Sequence, residues 1–189
     1  MKRFYKIPQN TFETIQIEAG VVLNHFDIEN PTVEDSALVC ATTGGINPSC
    51  VPSYVDMGED VDNCPPNMKE LKDITGWEAK LAFTSLGTSK EMIRMSLGAA
   101  DINATTGKIT PRNSLKDTDF GDVWWVGDKA GGGMVAIRLI NALSTSGFSL
   151  QTTKGGKGQI SVELTGHYSL ADQETVPMEF YSTDADDAA

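Results

Sequence analysis

A chain of 189 residues, 40% hydrophobic and 22% charged, is long enough for one large domain with a buried core. Its formal charge of −11 is the wrong sign for a protein that grips nucleic acid, because counterion release needs a basic face. No apolar run approaches the ~18 residues of a membrane-spanning helix, so no membrane insertion is expected.

The charge is unevenly placed. Residues 1–75 hold 12 acids and 5 bases, residues 76–171 hold 8 acids and 10 bases, and residues 172–189 hold 6 acids and no base. Both ends are therefore acidic around a nearly neutral centre. The opening residues MKRFYKIPQN are basic without an apolar stretch behind them, so they do not read as a secretory signal and a cytoplasmic origin is expected. Cys40, Cys50 and Cys64 are spaced ten and fourteen apart, which fits neither a CxxC metal pair nor a disulfide framework and leaves three reduced thiols. With 18 glycines and 8 prolines, many turns and short strands are expected.

In chain order, the first period-two segment is 14–19, with Ile15 and Ile17 on the inward face. Residues 42–75 follow, containing Gly44-Gly45, Pro48, Pro52, an acidic run at 56–62 and Pro65-Pro66. Much of this cannot be regular structure, although 50–55 has strand character. It reads as a long loop or an extended hairpin that leaves the core, and long irregular segments of this kind often bind something. Residues 77–84 alternate cleanly, with Trp77, Ala79, Leu81 and Phe83 on one face and Glu78, Lys80 and Thr84 on the other. Thr88-Ser-Lys-Glu91 reads as a capping box, with the Thr88 hydroxyl accepting from the N3 amide. Met92, Ile93, Ser96, Leu97 and Ala100 then form a helical stripe that should stop near Ala100.

Two aromatic residues, Trp124 and Trp125, sit in Asp-Val-Trp-Trp-Val-Gly. On a strand one ring points in and the other out, so the outer one is either covered by the helix or part of an assembly interface. Val135, Ile137 and Leu139 mark another strand, with Arg138 on its opposite face. In 159–165, Ile160, Val162 and Leu164 point in while Gln159, Ser161, Glu163 and Thr165 point out. The run 176–181 closes the series, its Pro177 placing it at an edge or near a strand start. Between 148–152 and 159–165 lies Lys154-Gly-Gly-Lys-Gly158. A phosphate-binding loop needs a hydroxyl after the lysine and then a helix, whereas here a glycine and a strand follow, so the loop reads as a hairpin turn.

Few residues carry chemistry. His25 and His167 are the two histidines, and no Gly-x-Ser-x-Gly elbow accompanies them. Asp56, Glu59, Asp60 and Asp62 invite a metal reading, yet Gly58 precedes most of the acids, unlike a calcium loop. Asp117, Asp119 and Asp122 cluster near a turn without support for acid–base work. No catalytic residue, cofactor or metal is assigned, and the residues point to a structural or assembly role. The alternative is a small acidic binding module or enzyme using a metal at the 56–62 loop.

Taken together, "ATTGGINPSCVPSYVDMGEDVDNCPPNMKELKDITGWEAKLAFTSLG", "KITPRNSLKDTDFGDVWWVGD", "GGGMVAIRLINALSTSGFSLQTTKGGKGQISVELTGHYS" and "VPMEFY" resemble the major tail protein, or tail tube protein, of long-tailed, non-contractile bacteriophages. The ordered series of phrases covers nearly the whole chain. The resemblance implies a mainly β phage tail-tube fold: an antiparallel β-sandwich or barrel with one flanking α-helix, a long extended loop and terminal arms. It implies one domain over 1–183, with a loop at about 42–66, and an acidic tail at 184–189. It further implies hexameric rings stacked into a tube in the virion, assembled in the bacterial cytoplasm. The implied partners are further copies of the chain, a tape measure protein, a tail terminator and tail-tip proteins, with DNA passing through without specific binding.

On that resemblance, Asn47, Pro48, Tyr54, Asp56, Glu59, Asp60 and Asp62 are the candidates for inter-ring contact. Glu78, Lys80, Gln159 and Glu163 are candidates to line a wet lumen, and Trp124 and Trp125 to lie at an interface. Net acidity suits a pore through which DNA slides, since attraction would stall it. The loop is expected to be needed for stacking, so that removing 47–63 leaves a folded β protein without tubes. A related ring protein of the head–tail junction is a third reading, distinguished by single rings that never stack.

Overall fold

The computed structural model describes residues 6–184. The chain is mainly β, an antiparallel sandwich with a flanking helix. A four-residue helical turn α1 (Thr11–Thr14) precedes β1 (Gln16–Leu23), β2 (Thr42–Asp56), β3 (Lys72–Ser85) and the helix α2 (Lys90–Leu97). Then come the short strands β4 (Ala100–Ile102) and β5 (Ile109–Pro111), which pair with each other, followed by β6 (Gly121–Lys129) and β7 (Met134–Ser144). The hairpin strands β8 (Leu150–Gln151) and β9 (Gln159–Thr165) and the final β10 (Met178–Ser182) complete the fold.

The main strands run in the order β1-β6-β7-β9-β3-β2, with β10 on β7 and β8 on β9. Strand β7 belongs to two layers. Its first two thirds pair with β6 and β10, whereas Leu143 and Ser144 pair with Thr165 and Leu164 of β9. The change of layer happens at Asn141, whose φ of 49° is a left-handed conformation in the strand. Asp122 Oδ1 accepts from the Asn141 amide at 3.1 Å, and the Asn141 side chain donates to the His167 carbonyl at 3.1 Å. These contacts hold a corner whose backbone groups have left the ladder.

The core lies between the layers. Ala79, Leu81 and Phe83 of β3 and Ile160, Val162 and Leu164 of β9 face Val123, Trp125, Ile137 and Leu139 of β6 and β7. Period-two alternation explains this placement, and each buried Leu or Ile contributes about 1.5–3 kcal/mol relative to an exposed one. The second face of β6 and β7 is covered too. Leu23, Phe26, Ala37, Trp124, Val126 and Ala136 form a second cluster under the 24–41 connection. Burial on both faces accounts for the unbroken apolar run of β6, which alternation alone does not.

The helix differs from its sequence signature. Its N-cap is Ser89, whose hydroxyl accepts from the Met92 amide at 3.1 Å, so Thr88 is not the cap and the box with Glu91 does not form. It stops at Leu97 rather than Ala100, because Gly98 takes φ 74° and Ala100 enters β4. Met92 and Ser96 are its buried residues, and the Ser144 hydroxyl donates to the Ser96 carbonyl at 2.8 Å. β1 also differs: Ile15 and Ile17 are exposed, and Val22 and Leu23 are the buried residues. A register shift between Ile17 and Val21, with Glu18 and Gly20 at positive φ, moves the apolar face. A side chain at Gly20 would collide with the Val126 carbonyl and the Trp125 ring.

Candidate assembly surfaces

The segment read as a loop over 42–66 is largely strand. β2 runs to Asp56 and pairs with β3 through thirteen registered positions from Thr42↔Ser85 to Asp56↔Lys72. The irregular part is 57–71, ending in a short 3-10 turn at Lys69–Leu71. Strand β3 pairs with β9 only from Lys80 to Ser85. Beyond that the β2–β3 pair continues alone as a two-stranded ribbon. The eight residues from Lys80 back to Lys72 carry it roughly 25 Å past the last residue paired with β9, at about 3.3 Å per residue.

Sequence candidates Tyr54, Asp56, Glu59, Asp60 and Asp62 all lie at this distal end, whereas Asn47 and Pro48 lie on the part of β2 that flanks the body. Asp56 shapes the tip. Its carboxylate accepts from the Gly58 amide at 3.0 Å and the Asn67 amide at 2.9 Å. Those two bonds hold its carboxyl below the ordinary range. Met57, Val61 and Tyr54 are 60%, 54% and 59% exposed, an apolar load that a free loop tip does not need. At the ribbon base, Thr75 is skipped by the register between Ser53↔Gly76 and Tyr54↔Ile74, a bulge that bends the strand. There the Tyr168 hydroxyl accepts from the Trp77 amide at 3.1 Å, bracing the ribbon from the β9–β10 connection.

The solvent side of β2, β3 and β9 is polar and continuous. Register places Ser49, Lys80 and Thr165 side by side, and likewise Asn47, Ala82 and Glu163. Glu78, Lys80, Gln159 and Glu163 share this face. Lys80 Nζ lies 2.7 Å from Glu78 and 3.5 Å from Glu163, and the Glu78 hydrogen bond foremost holds its ammonium above the ordinary range. The face therefore shows hydroxyls and amides with its base flanked by two acids. β2 is the terminal strand of the order, so its outer edge has no strand partner among the described residues. Pro48 and Pro52 remove two donors from β2, which blunts pairing along its middle.

The two tryptophans are not surface residues; each is 7% exposed. Trp125 lies in the main core and donates to the Ala19 carbonyl at 2.9 Å. Trp124 points the other way, as alternation requires, but neither the helix nor a neighbouring copy covers it. Phe26, Tyr181 and the Arg138 guanidinium do, with centroid distances of 5.8, 5.7 and 5.5 Å. The sequence did not reveal this cover, because 24–41 has little regular periodicity to flag it.

Two charged clusters sit apart from these surfaces. Arg138 bridges Asp122 at 2.6 Å and Glu179 at 3.1 Å. Asp119, whose side chain is fully shielded from solvent, binds Arg112 through both oxygens at 2.6 and 2.7 Å and accepts from the Lys116 amide at 2.8 Å. Burial pushes the Asp119 carboxyl up, but the Lys116 amide and the Arg112 guanidinium outweigh it and hold it below the ordinary range. Asp117, Asp119 and Asp122 are therefore not an acid–base set; Asp119 and Asp122 are engaged with different arginines. His167 is half-buried, its Nδ1 3.1 Å from the Asn141 carbonyl oxygen and its ring edge-on to Phe120.

Among the described residues, no three His, Cys, Asp or Glu side chains are grouped closely enough to hold a metal ion. The four acids of 56–62 thus do not form a ligand set. Lys154 to Gly158 is the hairpin turn between β8 and β9, paired Leu150↔Ile160 and Gln151↔Gln159, with no helix behind it to favour a phosphate. The C-terminal arm reaches the β6–β7 turn, where Lys129 binds the Thr183 carbonyl and the Asp184 carboxylate at 2.8 Å each. Residues 185–189, most of the predicted acidic tail, lie outside the described residues, as do residues 1–5 of the N-terminal arm. Comparison with known proteins finds no matching family model and no matching curated protein.

Proposed function

We propose that this chain is the subunit of a bacteriophage tail tube, a structural protein that forms hexameric rings stacked into a conduit for DNA. One observation carries the reading: the β2–β3 ribbon, projecting beyond the third strand of its sheet with exposed Tyr54, Met57 and Val61 at its end. A two-stranded ribbon alone is marginal in water, and an apolar tip on it gains free energy only when a partner covers it. The resemblance of the sequence phrases to tail tube proteins makes the partner another subunit of the same kind.

The polar face of β2, β3 and β9 then lines the lumen. Its hydroxyls and the paired charges of Glu78, Lys80 and Glu163 present hydrated groups without a basic track, so DNA slides without being held. The tape measure protein occupies the same lumen during assembly, and tail terminator and tail-tip proteins close the ends. The tubes belong to the virion and assemble in the bacterial cytoplasm.

Negative-stain electron microscopy of the purified protein, dilute and concentrated, with and without chelator, tests this. Hollow tubes that form regardless of chelator are expected. Single rings that never stack would replace the tube with a ring of the head–tail junction. Assembly or folding that depends on added calcium, and is abolished by Asp60→Ala, would sink the tube reading in favour of a metal-binding module.

A further inference from the structure

The two ends of the polar sheet carry opposite charge. At one end is the ribbon tip, where residues 57–71 hold Glu59, Asp60, Asp62 and Glu70 against a single base, Lys69. At the other is the β8–β9 hairpin. β9 runs antiparallel to β3, so Gln159 and Ile160 lie at the Ser85 end and Thr165 lies toward the ribbon. The turn carrying Lys154 and Lys157 therefore sits at the end of the sheet remote from the tip. No acid occurs between Asp128 and Glu163, a gap of 34 residues in a chain with 26 acids. Lys154 and Lys157 are exposed, and neither has an ion-pair partner among the described residues.

Both ends also expose apolar side chains. Tyr54, Met57 and Val61 do so at the tip, and Phe148 and Leu150 are 40% and 42% exposed beside the lysines. We propose that the β8–β9 hairpin is the receptor for the ribbon tip of a second copy of this chain. The proposal rests on the tube reading and identifies the surface that stacking uses. Since the two patches occupy opposite ends of one sheet, they meet only between molecules. A contact between two different patches is heterologous, and its repetition generates an open filament. Facing charges steer the tip onto the hairpin and fix which end meets which, while Phe148, Leu150, Met57 and Val61 supply the area that leaves water. Exposed ion pairs are individually weak and screened by salt, so docking needs several of them together and weakens as salt rises.

Charge reversal tests the contact. Lys154→Glu with Lys157→Glu, and separately Glu59→Lys with Asp62→Lys, should each raise the concentration needed for tube formation at least about tenfold. All four substitutions in one chain restore complementarity and should bring assembly back. Melting curves of the three variants should match the wild type, because every site is exposed. Carbodiimide treatment of wild-type tubes, made from a mixture of isotope-labelled and unlabelled chains, should join Lys154 or Lys157 of one chain to residues 57–71 of another. Tubes that form equally well from both double variants would overturn the contact and leave the tube reading standing. Lysine cross-links to 184–189 instead of 57–71 would overturn it in favour of the acidic tail. A wild type that stays monomeric at every concentration would overturn both the contact and the reading it rests on.

Discussion

The body and the ribbon of this protein are built from the same two strands. Inside the body, β3 alternates Ala79, Leu81 and Phe83 into a core sealed by β6, β7 and α2. Beyond Trp77 the same strand has only β2 beside it, and Tyr54 and Ile74 stay in solvent. Strand propensity is enough to form a ribbon, but only a second layer makes it a core. The body carries the stability of the folded chain and the ribbon adds little to it. If the proposed function holds, the ribbon carries the stability of the assembly instead.

That contrast can be broken most sharply from the body side. Leu164→Ala deletes a side chain 1% exposed at the centre of the main core and should cost about 2–5 kcal/mol, read as a lower denaturant midpoint. Asp119→Asn should destabilise less and should change the pH profile. The Asp119 carboxyl is held below its ordinary value of 3.8 in the folded state, so its contribution is fully present above that value and is lost as pH falls below it. Wild-type melting temperature should therefore fall with acidification below pH 3.8, and the variant should lose part of that slope. Tyr168→Phe removes the acceptor for the Trp77 amide at the ribbon base and should cost about 1 kcal/mol.

The smallest effect on the body should come from the largest change to the ribbon. Replacing 57–71 with an Asn-Gly turn closes the strands where Asp56 already faces Lys72, and should leave the melting temperature unchanged while abolishing stacking. A truncated chain that still stacks would remove the tip from the assembly. Deleting 47–63, the cut the sequence invited, is a poorer test. It also removes the part of β2 whose Cys50 packs against the main core and whose strand covers β3 from Trp77 to Ala82.

Much of this was readable from the chain alone. Strict alternation in 77–84 and 159–165 assigned both faces of β3 and β9, because side chains on a strand turn over at every residue whatever their partners. Gly155 and its neighbours marked the hairpin, and the charge segregation was already present in the order of residues. Local pattern states which face is apolar; it does not state what covers that face. Tertiary structure alone decided that Phe26 and Tyr181 cover Trp124, that Asn141 turns β7 from one layer to the other, and that Asp119 is buried against Arg112. It also decided that the acidic tip and the basic hairpin lie at opposite ends of one sheet. Most of these depend on pairing between residues far apart in the chain, and the Asp119–Arg112 pair spans an irregular connection; neither kind of contact leaves a periodic trace in its partners.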